Sequence, residues 1–126
     1  MAIAILTRGK TAIRDNLKEL VTHLGVSTDQ TAFDIAQVAL DPANVGAANN
    51  HIEAVTELDV DAITTDYSIE INGATEFTGK TIWTMSLMNG ITRTDPLSRR
   101  VRTVGVGIQS DDVTTVTIRA TVEDNS

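Results

Sequence analysis

The sequence has no cysteine, so it carries neither a disulfide framework nor a thiolate zinc site. Aromatic residues are almost missing. Trp83, Tyr67, Phe33 and Phe77 are the whole set, and a core must therefore rest on Val, Ile, Leu and Ala. Cations are few: seven arginines and three lysines stand against seventeen carboxylates, for a net charge of −7 and a pI near 4.6. That balance argues against direct nucleic-acid binding, which needs a cationic footprint. No stretch approaches the roughly 18 apolar residues of a membrane span. The apolar run in "MAIAILTRGK" is too short for a signal peptide. A soluble protein, made without a classical export signal, is the expectation.

What is present suits one structural domain over 1–126. Hydrophobic residues make up 41%, enough to argue against disorder for most of the chain. Nineteen threonines favour strands and water-facing sheet surfaces. Asp outnumbers Glu and Arg outnumbers Lys, as on halophilic surfaces, where dense carboxylates keep a protein soluble. On that reading stability rises with salt; an ordinary acidic protein is the plainer alternative.

In "TRGKTAIRDNLKELVTHLG", Ile13, Leu17, Leu20, Val21 and Leu24 fall on one helical stripe. The pattern predicts a helix over about 8–22, with Thr7 or Thr11 capping its start and Gly25 following its end. Arg14, Asp15, Lys18 and Glu19 form the opposite, solvated face. "HLGVSTD" reads as a short strand, and 41–50, with Pro42, Gly46 and two asparagines, as a loop.

A β-rich region is predicted over about 52–123. "VTELDV" alternates Val55, Glu57 and Asp59 with Thr56, Leu58 and Val60. Tyr67, Ile69 and Ile71 alternate with polar residues before an Asn72-Gly73 turn. Ile82, Thr84, Ser86 and Met88 alternate with Trp83, Met85 and Leu87. "LSRRVR" follows an Asp95-Pro96 turn as a short strand. Val116, Ile118, Ala120 and Val122 point one way, and Thr115, Thr117, Arg119 and Thr121 the other. The fold class expected is mainly β (α+β): an N-terminal amphipathic helix packed on a small antiparallel sheet or sandwich.

No motif points to catalysis, a cofactor or a metal. Gly9-Lys10-Thr11 and Gly79-Lys80-Thr81 resemble the end of a phosphate loop, but Ala4 and Ala74 stand where its first glycine belongs. His23 and His51 have no partner at metal-ligand spacing on a convincing helix. Asp59, Asp61 and Glu70 match three calcium-loop positions, yet Ile63 and Thr64 break the pattern. Trp83 and Tyr67 are the natural stacking platform of a carbohydrate- or receptor-binding module, though both sit in core-like alternation. Catalytic, cofactor-binding and metal residues are expected to be none, and the protein is expected not to be an enzyme.

The order of elements resembles a widespread class of small structural proteins of tailed viruses. The resemblance is carried by the helix, the "HLGVSTD" strand, Thr81 to Asn89, Leu97 to Arg99 and Asp112 to Val122. Ser27 and Ser86 stand where that pattern usually has glycine. The resemblance implies a virion protein of the tail, baseplate or fibre attachment, made in the host cytoplasm, with copies of itself and other virion proteins as partners. A capsid decoration, turret or neck protein is the alternative within the class. It implies a homo-oligomer, with no membrane and no direct nucleic-acid contact.

"DPLSRRVR" gathers Arg99, Arg100 and Arg102 into four positions of an acidic chain. As a strand, Leu97, Arg99 and Val101 share one face, while Arg100 and Arg102 lie on the other. The three arginines are the candidate interface, steering and registering contact with acidic neighbours. Arg99, set between two apolar residues, either covers apolar surface with its stem or requires a buried carboxylate.

Overall fold

Alternation along the strands decides which side chains meet. The computed structural model describes residues 5–32, 36–41 and 46–123; Pro42 and Phe33 lie outside them. Helix α1 (Thr7–Leu20) precedes seven strands: β1 (His23–Ser27), β2 (Asn50–Ala54), β3 (Thr56–Asp61), β4 (Thr64–Asn72), β5 (Thr81–Met88), β6 (Arg100–Gly107) and β7 (Val113–Thr121). A 3-10 turn (Ala47–Asn49) leads into β2. One sheet has the order β2-β1-β5-β6 and the other β3-β4-β7, and every pairing is antiparallel.

The inner faces of the two sheets share one apolar core. Leu24 and Val26 from β1 and Ile82 and Met85 from β5 meet Ile69 and Ile71 from β4 and Val116 from β7, with Phe77 and Ile108 added from the crossovers. The fold is therefore mainly β, a sandwich with one helix against it, as the strand patterns predict. In β4 and β7 the predicted faces are the observed ones: Tyr67, Ile69 and Ile71 are buried, as is Val116. The region of strands is wider than 52–123, since β1 lies before it and β2 begins at Asn50.

Four local expectations are corrected. The helix stops at Leu20, because Val21 turns extended and Leu24 enters β1. Gly25 is no helix cap; it sits inside β1, where a Cβ would lie 2.9 Å from a Leu40 methyl. No side chain caps the start, and Thr11 instead donates to the Thr7 and Ala62 carbonyls. In β5 a register shift between Ile82 and Thr84 breaks the single alternation. It turns Ile82 inward with Met85, while Thr84 pairs on the outer face with Ser27.

The docking face of α1 is also not the predicted one. Arg14 donates to the Asp61 carbonyl at 2.7 Å and Lys18 to the Asp59 carboxylate at 3.1 Å. These residues, expected in solvent, hold the helix on the β3–β4 hairpin. β3 is turned accordingly: its carboxylates meet the helix cations, while Leu58 and Val60 are exposed. Ile13 and Leu20 are about half exposed, at 46% and 51%, and Leu6 is 77% exposed. Only Leu17 of the stripe's helical part packs, partly buried, against Val21, Tyr67 and Leu87. Leu17→Ala should therefore cost about 1 kcal/mol, well short of the roughly 2–5 kcal/mol of a fully buried leucine. Urea denaturation measures it; a loss above about 3 kcal/mol would mean the site is closed to water.

Candidate functional site

The structure separates the three arginines of "LSRRVR". β6 begins at Arg100, so Arg99 precedes the strand. Its guanidinium turns under the outer face of the first sheet, with only 1% of the side chain exposed. There it donates to Asp29 at 3.2 Å, Gln37 at 3.1 Å and the Thr84 hydroxyl at 3.3 Å. Asp29 is itself held: it accepts from the Thr31 amide and hydroxyl, and its own carbonyl accepts from Thr84 at 2.6 Å. Asp41, equally buried, is paired with Arg93 alongside. Asp29 and Asp41 are thus tied to Arg99 and Arg93 by ion pairs over the face that carries Gly25, Ser27, Thr84 and Ser86, with Ile52 and Met88 beside Gly25.

Arg100 is exposed, and Arg102 is half-buried with its Nε donating to the Val104 carbonyl at 3.0 Å. Both border an open groove between the edge strands β6 and β7. One part, about 500 Å³, is lined by Asp66, Met85, Ser98, Arg99, Arg100, Thr117, Ile118 and Arg119. The next, about 300 Å³, is lined by Ile82, Met85, Arg102, Val106, Val116 and the threonines Thr114, Thr115 and Thr117. The lining mixes apolar side chains with threonines and arginines. Arg119 forks onto Asp66 across the strands, at 2.8 and 3.0 Å.

The other candidate motifs do not assemble. Tyr67 is fully buried, so it can offer no stacking face; burial, with Glu57 and Asp59 nearby, pushes its phenol up to about 12. Trp83 is half-buried, and a Cβ at Gly105 would touch its ring. Gly9-Lys10-Thr11 lies within α1, and Gly79-Lys80-Thr81 leads into β5. Asp59 and Asp61 are committed to Lys18 and the Ile63 amide. Glu70 lies further along β4, opposite Thr115.

One group of metal-capable donors was missed in the sequence. His51, Glu53 and Glu76 bring three ligand atoms within 4.8 Å of one another. His51 and Glu53 have no helical spacing; they share a strand face at i and i+2. Glu76, from the β4–β5 crossover, had no local signal. No helix among the described residues is long and apolar enough to cross a membrane. Comparison with family models, curated proteins and solved structures finds no match.

The surface carboxylates set an acid limit. Lys18 holds Asp59 below the usual carboxylate range, Arg119 does the same to Asp66, and the Ile63 amide lowers Asp61. A depressed folded pKa adds stability above the unfolded value and loses it as pH falls through the folded one. Stability should thus be level down to about pH 4 and decline below it, modestly, because these groups face water. Asp66→Asn should flatten the decline; an equally steep acid limb in that variant would exclude the Arg119 pair as a cause.

Proposed function

We propose that the protein is a structural subunit of a tailed virus, belonging to the tail, baseplate or fibre attachment, and that it acts by assembling with copies of itself. The observation that carries this reading is the helix that docks by Arg14 and Lys18 while Leu6, Ile13 and Leu20 face outward. A monomer gains most by burying leucines and leaving charges in water. The reverse arrangement suits a helix whose apolar stripe is covered by a neighbour. Open edges at β3 and β6, with Leu58 and Val104 64% and 70% exposed, add surface of the same kind.

Sedimentation of the purified chain tests the assembly step. The wild type should form oligomers, and Ile13→Glu with Leu20→Glu should yield monomers that still unfold cooperatively, at a melting temperature that no longer depends on protein concentration. A wild type that stays monomeric at high concentration would remove the reading. The position in the particle is tested by neighbouring genes: tape-measure and hub genes favour the tail, a major capsid gene favours decoration.

A further inference from the structure

β2 is an edge strand, and its inner face should extend the apolar core. Antiparallel pairing sets His51 beside Val26 and Glu53 beside Leu24, both of which are fully buried core residues. An ordinary sandwich would place valine or leucine at 51 and 53. Here an imidazole and a carboxylate take those positions, and the crossover from β4 delivers Glu76, next to the core residue Phe77. The backbone amide of Glu76 donates to the Asn72 carbonyl at 2.8 Å, which fixes where its side chain starts.

Two of the three donor atoms are shut away without being satisfied. His51 Nε2 and Glu76 Oε2 are both inaccessible to solvent, and neither forms a hydrogen bond. Buried polar atoms in that state are penalised unless something else meets them. Their spacing says what that is. Nε2 lies 3.3 Å from Glu76 Oε2 and 3.5 Å from Glu53 Oε1. A charge-assisted N–H···O bond would close to about 2.7–2.9 Å. Two ligands of a tetrahedral zinc ion, each roughly 2.0–2.1 Å from it, lie about 3.3–3.4 Å apart.

We infer that His51, Glu53 and Glu76 form a binding site for a divalent transition-metal ion of the zinc type, with a fourth position for water. One nitrogen and two carboxylate oxygens make a donor set that suits zinc, and two negative charges balance the ion. The ion staples the edge strand β2 to the crossover between the sheets, so its role is structural.

The test uses the full chain, stripped with chelator and titrated calorimetrically with Zn²⁺, with Co²⁺ as a spectroscopic probe. Saturation at one ion per chain is expected, with a tetrahedral Co²⁺ absorption band and a melting temperature that climbs with free Zn²⁺. Glu76→Gln and His51→Gln should each weaken binding by more than the roughly 10–100-fold that loss of an outer-shell partner costs. Glu76 is partly exposed in a connecting segment, so its variant remains informative if the strand variant misfolds. No saturable binding at millimolar ion would overturn the site. So would binding that both variants leave intact, because the ion would then sit on other carboxylates. A chain that Zn²⁺ does not stabilise, but that Glu76→Gln weakens, would make the cluster an imidazolium ion pair instead.

Discussion

Arg99→Ala is expected to remove about 3–5 kcal/mol of stability, the cost of stranding one member of a buried ion pair. The side chains of Arg99 and Asp29 are 1% and 2% exposed, so water cannot replace the lost partner. The Asp29 carboxylate would lose the guanidinium while its bonds from Thr31 remain. Against a typical margin of about 5–15 kcal/mol, that is roughly a fifth of the total or more. Arg99→Lys should rescue little, because separate guanidinium nitrogens reach Gln37 and Asp29. Replacing both partners with Arg99→Met and Asp29→Leu should recover much of the loss, since the charge and its counter-charge leave together. Arg100→Ala is the control and should stay within about 0.5 kcal/mol of wild type. Urea midpoints for the set decide the matter. If Arg99→Ala and Arg100→Ala unfold together, the pair is not closed to solvent.

The second large effect is expected at Gly73, and its sign is the test. In a tight turn where φ is permissive, Gly→Ala stabilises by about 0.4–1 kcal/mol through the unfolded chain. Gly73 does not have a positive φ; among the described glycines those are Gly46, Gly79 and Gly90. Alanine would thus be allowed by the backbone. It is forbidden by the neighbour: a Cβ would fall 1.8 Å from the Gln109 carbonyl oxygen. That oxygen belongs to the β6–β7 crossover, which also receives the Gly73 amide at the Asp112 carbonyl, 2.8 Å away. Here the β4–β5 and β6–β7 crossovers pass against each other, backbone to backbone. Gly73→Ala should cost about 3 kcal/mol, the upper end for overpacking. A stabilised Gly73→Ala would show that the crossovers are held apart in solution.

Much of the layering was readable from strand patterns. Alternation in 67–71 and 116–122 named the inward residues correctly, because in those strands one face meets the core and the other meets water. The short "HLGVS" strand was also placed correctly. The Asn72-Gly73 turn is present, but it leads from one sheet to the other, and its glycine is needed for close approach of two crossovers.

Everything that depends on a distant partner was hidden. The helical stripe made Ile13 and Leu20 core candidates, but Arg14 and Lys18 found a carbonyl and a carboxylate 47 and 41 residues away and turned the helix. The alternation of Arg99 with apolar residues required either a covering stem or a buried carboxylate, but it could not name Asp29, 70 residues upstream. The donors at 51, 53 and 76 came together only when the β4–β5 crossover passed beside β2. Composition and period by themselves determined that this chain is acidic, cysteine-free and built mainly of half-buried strands, since those properties are local and follow from each residue's preference for water or core. Which charges are buried, which leucines are left outside and which donors meet was decided by the tertiary structure. A charge's energy depends on what stands within a few ångströms of it, and that neighbour is supplied by another part of the chain.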